Sequence, residues 1–241
     1  KITADLNEIA IKQIDNIEEA KVLIAASDHF EAGVIGLVAG RLKEAFYRPS
    51  IVIEIGEEES HGSCRSIPEL NITHVLDEVS DILVRYGGHA AAAGLTIEND
   101  QIPNFQTRIT DIINTKLADQ TLVPTLEIDA ELDIESVDWA LYDHLQQLEP
   151  TGAANPTPIF MSQGVEVTFH RTVGRDGSHL QLELQKNAVD TVQCIAFGQG
   201  SIWGHQMPRF IDLVYSIGRN DWKGNRRLQL MVHDIRPAKS Q

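Results

Sequence analysis

The segment His61-Gly-Ser-Cys-Arg-Ser66, with Gly87-Gly-His-Ala-Ala-Ala-Ala-Gly94 following it, holds the residues best suited to gripping an anion. Side chains alternate along an extended strand, so Ser63 and Arg65 put a hydroxyl and a guanidinium on one face, a small phosphate-reading surface. Cys64 turns to the other face, as a buried small hydrophobe rather than a reactive nucleophile. Gly87 and Gly88 let a second stretch of backbone come close to the same anion, because glycine has no Cβ and tolerates φ > 0. His89 reads in two ways, as a donor to phosphate or as an imidazole capping a preceding helix. Arg65 has no carboxylate within its own strand, which leaves ligand binding or a salt bridge across the sheet.

A second constellation lies near the C-terminus. Arg219, Trp222, Lys223, Arg226 and Arg227 place an indole among four cations at a turn between two strands. Single-stranded nucleic acid needs that combination, since a base stacks on the ring while the cations follow the backbone. The other reading folds Trp222 back onto the protein beneath a solvated basic hairpin. Arg171 and Arg175, with His170, would extend the groove from an earlier hairpin. Trp203 and Tyr215 sit in apolar settings and read as core. Phosphodiester hydrolysis generally uses a clustered Asp/His metal site. No such cluster has recognisable spacing here, so no catalytic or metal-binding residue is assigned. Asp28-His29 is isolated, and the run at 57–59 reads as a solvated acidic turn.

The elements that must position these residues follow from hydrophobic period. Residues 21–26, 50–55, 61–66 and 95–98 read as strands; 33–46, 72–86 and 104–118 read as helices, the 72–86 helix capped by Gly87 and Gly88. Pro49 stops the 33–46 helix. Alternating elements of this kind make a compact α/β layer. Past Pro124 the character changes. Residues 126–132 alternate as a half-exposed strand, 137–148 read as a helix, and a proline-rich crossing leads to five short strands at 165–170, 180–185, 191–197, 210–218 and 228–234. That spacing predicts a small barrel. The division is therefore an α/β domain over 1–124 and a barrel domain with a leading strand-helix segment over 125–241.

The chain has 241 residues, 42% of them hydrophobic and 23% charged, which is enough to bury two cores and carries no apolar run of membrane-span length. Cys64 and Cys194 match no metal spacing and read as free thiols of a reducing cytoplasm. No basic-then-apolar leader stands at the start, and Lys1 rather than Met suggests a piece of something longer. The formal net charge of −15 argues against nucleic acid if averaged. It is unevenly spread, however: −10 over 1–124, −8 over 125–165 and +3 over 166–241. A polyanion would be held by the last third and by isolated arginines, while the acidic surface keeps the protein in solution.

Taken together, Gly33-Val-Ile-Gly-Leu-Val-Ala, Arg48-Pro49, Gly62-Ser-Cys-Arg-Ser66, Gly87-Gly-His-Ala-Ala-Ala-Ala-Gly94, the crossing from Pro150 to Phe160, and Asn220-Asp-Trp-Lys-Gly224 with Leu228-Gln-Leu230 closely resemble the C-terminal part of the bacterial RecJ family. These are single-strand-specific 5′→3′ DNA exonucleases of the DHH phosphoesterase superfamily. The resemblance spans nearly the whole chain. It implies an α/β DHH-associated domain followed by an all-β OB-fold barrel. It implies that Ser63 and Arg65 hold the 5′-terminal phosphate, that Gly87, Gly88 and His89 line the same cleft, and that the barrel guides single-stranded DNA towards it. It places the Mn2+ or Mg2+ centre in a DHH domain outside these residues, so this part alone would bind DNA without cutting it. A role in DNA repair and recombination, with a single-strand-binding protein or a helicase as partner, belongs to the same expectation. One departure is that Phe30-Glu31 stand where the family commonly has a Trp-His pair. Rival readings are a stand-alone nucleic-acid-binding or protein-interaction module, and a relative that cleaves short oligonucleotides or cyclic dinucleotides. The barrel argues against the latter, for which a long guiding surface is superfluous.

Overall fold

In the computed structural model, residues 2–14, 16–222 and 224–239 are described, Ile2 and Trp222 by their backbone alone. The chain divides into two compact units, 1–125 and 126–241.

The first unit is built on one five-stranded sheet. β1 (Leu23–Ser27) leads through α2 (Ile35–Phe46) to β2 (Ser50–Glu54), and the two strands pair in parallel. β3 (Glu59–Arg65), β5 (Ala92–Glu98) and the edge strand β4 (Arg85–His89) complete the order β1-β2-β3-β5-β4, all antiparallel from β2 onwards. α1 (Ile2–Lys12) and α2 cover one face, where Leu6, Ala10, Val38, Ala39 and Leu42 pack with Leu23 and Val52. α3 (Ile72–Asp77) and α4 (Ile102–Lys116) cover the other, where Val75, Leu76, Phe105 and Ile109 pack on Ile51, Ile53, Cys64 and Ile97. β2 is buried on both faces, as a strand between two helical layers must be. Arg48 serves the structure: its guanidinium donates to the carbonyls of Ala20, Phe46, Tyr47 and Leu122 and ties the end of α2 to the unit's last segment.

The expected helix over 72–86 is a correction. α3 stops at Asp77, a 3-10 turn spans Ser80–Ile82, and 85–89 is a strand. Val75, Leu76 and Val79 still face the core and Ile82 and Leu83 still pack against it, so the helical period was satisfied by a shorter helix plus a turn. What it could not report is that Gly87 and Gly88 pair with Gly94 and Ala93 as an edge ladder instead of capping a helix. α1 was not expected at all.

The second unit opens with a two-residue β6 (Ala130–Glu131), much shorter than the strand expected over 126–132, and α5 (Trp139–Leu145). Its crossing to the barrel is a built turn: Asn155 donates from its side-chain amide to the carbonyls of Leu148 and Pro150 and bridges by its backbone to Gly152. β7 (Phe160–Val173), β8 (His179–Gln185), β9 (Thr191–Ala196), the short α6 (Gly200–Trp203), β10 (Phe210–Trp222) and β11 (Asn225–Pro237) follow. The order is β10-β11-β9-β8-β7-β6, and β10 also pairs with β7, so the sheet curls back on itself. Leu180, Leu182, Leu184, Cys194, Leu213, Tyr215 and Leu230 fill the interior. Tyr215 is fully buried, its hydroxyl 2.9 Å from that of Ser162, and Trp203 packs against the same core.

Candidate nucleic-acid interface

Directly paired residues of neighbouring strands share a face of a sheet. The register of the first unit therefore sorts its functional residues into rows. One row is Ser50, Arg65, Ala92, His89; the next is Val52, Ser63, Gly94, Gly87; the third is Glu54, His61, Thr96, Arg85. Ser50 donates to the Ala39 carbonyl at 2.6 Å and Val52 packs with Val38, which puts all three rows on the α2 face. α1 and α2 pack over the β1 and β2 end of that face. Towards β4 it carries a polar, glycine-floored surface on which Gly87, Gly94, Arg85 and His89 are exposed.

Arg65 and Ser63 are in direct contact there. The Arg65 Nη1 donates to Ser63 Oγ at 3.1 Å and to the Cys64 carbonyl at 2.9 Å, which fixes the plane of the guanidinium. No carboxylate lies within ion-pair distance of Arg65 among the described residues. Cys64 faces the opposite core, where burial pushes its thiol up to about 12. Gly36, one residue into α2, lies beneath the pair: a Cβ there would stand 2.9 Å from Arg65 Nη2 and 3.3 Å from Ser63 Oγ. α2 itself begins without a side-chain cap. Gly87 has open space around its missing Cβ and no positive φ, so nothing in the fold requires glycine at that position. Gly88 differs. It belongs to the row of Ala93 and Cys64 on the opposite face, has φ +155°, and a Cβ there would strike the Ala92 carbonyl and Ala93. Packing of the hairpin accounts for that glycine.

On the barrel unit the expected cations are in several different situations. Arg171, on β7, donates to the Gln181 side chain at 2.8 Å, and Arg175 sits in the turn towards β8. Arg219 is ion-paired with Asp221 at 2.8 Å and is not a free cation. Arg227 is exposed. Arg226 lies with its Cζ 4.6 Å from the centroid of Trp139, which also meets Tyr142 edge-on at 5.6 Å. A groove of about 550 Å³ runs alongside, bordered by Trp139, Arg226, Arg227 and Lys186 together with Glu183 and Asp190. The Trp222 side chain and Lys223 lie outside the described residues. Trp139 was missed because it stands in the acidic stretch 125–165, far in sequence from the cation it meets. Gly36, His61, Thr96 and Arg85 were missed as well. Carrying the period-two step one place back from Ser63 would have found His61.

Among the described residues no group of three or more His, Cys, Asp or Glu side chains could hold a metal ion. Asp28 and His29 stand 3.7 Å apart, both well exposed. The donor set of a divalent-metal centre is not supplied by these residues. No helix is long and apolar enough to cross a membrane among those described.

An α/β domain with an arginine and serine on an open sheet face, joined to a six-stranded curled β unit with exposed cations, fits a DHHA1 domain followed by an OB domain. Family models agree: DHHA1 matches residues 19–115 and the RecJ OB domain matches 128–234. The chain is 28% identical over 239 residues to the single-stranded-DNA-specific exonuclease RecJ of Bacillus subtilis, covering 97% of this chain and 30% of that protein. Against RecJ of Salmonella typhimurium it is 30% identical over 212 residues, 85% of this chain and 36% of that protein. A crystal structure of Thermus thermophilus RecJ with Mn2+ superposes with a TM-score of 0.79 at 27% identity, covering 99% of this chain and 34% of that one; the Mg2+ form gives 0.78. The chain belongs to the RecJ family and corresponds to its C-terminal part. It spans about a third of the length of these relatives.

Proposed function

We propose that this chain is the substrate-holding part of a single-strand-specific 5′→3′ DNA exonuclease. Arg65 and Ser63, with Gly87 and His89 beside them, hold the 5′-terminal phosphate, and the barrel unit carries the following strand. The observation that supports this most is the Arg65–Ser63 contact: an oriented guanidinium with no carboxylate partner among the described residues, over a glycine that leaves room for it. A doubly charged terminal phosphate would gain charge-assisted hydrogen bonds from both side chains. It would also sit near the start of α2, where helix amides favour negative charge. On the barrel unit, Arg171, Arg175, Arg226 and Arg227 would follow the backbone while Trp139, and Trp222 as the sequence proposes, stack bases.

Hydrolysis belongs, in this reading, to a divalent-metal centre carried by residues outside this chain, so the chain binds DNA without cutting it. The setting would be DNA repair and recombination in the cytoplasm, beside a single-strand-binding protein or a helicase. The test is a binding titration of the 241-residue chain against salt, with single-stranded and duplex oligonucleotides of equal length. Tighter binding of the single strand, weakening linearly on a log–log salt plot, is expected. Equal affinity for both forms, or indifference to salt, would reject the reading.

A further inference from the structure

The third row of the open sheet face, His61, Thr96 and Arg85, has no part in the terminal-phosphate site. Arg85 is on the edge strand, yet it is held: its Nε donates to Thr96 Oγ1 at 3.1 Å, and Thr96 is only 3% exposed. His61 Nδ1 lies 3.4 Å from the same hydroxyl, on the far side of β5 from Arg85. The guanidinium is thereby oriented, while its two Nη groups have no protein partner and no carboxylate within ion-pair distance among the described residues. A cleft of about 300 Å³ opens here, lined by His61, Arg85, Tyr86, Gly87, Gly94 and Thr96. Its floor is the glycine row, where Gly87 has nothing within 4 Å of a would-be Cβ and Gly94 meets only the Gly62 carbonyl at 3.8 Å. Glu54 closes the β2 end of the row, beyond His61, and is the carboxylate in register with it.

We infer that Arg85, positioned by Thr96, binds an internal phosphate of the same strand whose 5′ end rests on Arg65. Geometry sets which one. Four residues along the strand and two strand spacings across separate Arg65 from Arg85 by roughly 17 Å between their Cα atoms. A stacked strand rising about 3.4 Å per nucleotide covers that distance in about five nucleotides, and a more extended one in fewer. The phosphate therefore falls within the first five linkages, and the glycine row between the two arginines lets the intervening nucleotides lie against bare backbone. This inference rests on the reading of Arg65 as the 5′-end holder.

The experiment measures binding of the 241-residue chain and its Arg85→Gln variant to 5′-phosphorylated (dT)12. One linkage at a time, from the first to the eighth, is replaced by a neutral methylphosphonate. Glutamine keeps a donor for Thr96 and removes the charge, and an unchanged melting temperature shows that the fold is intact. Arg85→Gln is expected to weaken binding of the unmodified oligonucleotide about tenfold. That loss should vanish for one neutral linkage among the first five and persist for the sixth to eighth. The variant should keep the parent's preference for a 5′-phosphate over a 5′-hydroxyl. Affinity equal to the parent's, or a loss independent of which linkage is neutral, would overturn the assignment. If the parent itself shows no 5′-phosphate preference, the terminal-phosphate reading fails; position-specific coupling to Arg85 then still upholds the internal contact, and its absence removes both.

Discussion

Gly36 of α2 lies directly beneath Arg65 of β3, so close that a single added methyl group would meet Arg65 Nη2 at 2.9 Å. The atom it meets is the far end of a flexible side chain, so the helix can accept the methyl if the guanidinium moves away. Gly36→Ala should then separate stability from binding. The melting temperature should hold or rise, because alanine is better in a helix than glycine by up to about 1 kcal/mol. The preference for 5′-phosphorylated ends should fall several-fold. Lower stability with intact discrimination would show that the glycine serves packing instead.

Trp139 and Arg226 form the one aromatic–cation contact described between α5 and the β10–β11 hairpin. If bases stack there, Trp139→Ala should weaken single-strand binding by about 1–3 kcal/mol. Arg226→Ala should weaken it uniformly across sequences and flatten the salt slope by about 0.7, the share of one phosphate contact on a single strand. Fluorescence anisotropy at several salt concentrations separates the two. Unchanged affinity in both variants would leave the contact as packing between elements.

Asp212 holds three strands of the barrel together. It is 4% exposed, accepts the Gly164 N–H of β7 at 2.9 Å and pairs with Arg236 of β11 at 2.9 Å, while belonging to β10 itself. Gly164 has φ +63°, a left-handed conformation beside the register shift between the two strands. Asp212→Ala would leave the part-buried Gly164 N–H without its acceptor and the half-exposed Arg236 without its partner, costing about 1–2 kcal/mol in chemical denaturation. A cost below about 0.5 kcal/mol would show that water replaces the carboxylate, as at an ordinary surface site.

Cys64 should be silent towards thiol reagents at pH 8, because burial lifts its thiol from 9.0 to about 12; Cys194 is raised for the same reason. The unfolded chain loses these protons above about pH 9 and the folded chain does not, so stability is whole below that pH and falls as pH climbs towards 12. Titration with an aromatic disulfide should find no reactive thiol in the native protein and both after denaturation. A fast-reacting Cys64 would mean that the β3 core opens readily.

The α/β alternation and the single strand carrying both Ser63 and Arg65 were legible, the latter because period-two alternation reports a face directly. So was the run of five barrel strands, each marked by turn residues. The stretch from Ile72 to His89 was not: a helical period in Val75, Leu76, Val79, Ile82 and Leu83 is equally met by a short helix and a turn, and only pairing with Ala92–Glu98 makes 85–89 a strand. For the same reason Arg85 escaped notice, since its row exists only once β4 is in register with β5. Trp139 and Arg226 meet across a long sequence gap, which no local pattern records.

The most direct test concerns Arg65. The 241-residue chain and its Arg65→Ala variant are titrated with (dT)12 bearing either a 5′-phosphate or a 5′-hydroxyl. The parent should favour the phosphorylated end by about tenfold or more, as a charge-assisted contact of about 1.5–3 kcal/mol requires, and the variant should bind the two ends nearly alike. A variant that discriminates as well as its parent would contradict the assignment of the terminal phosphate to this sheet face.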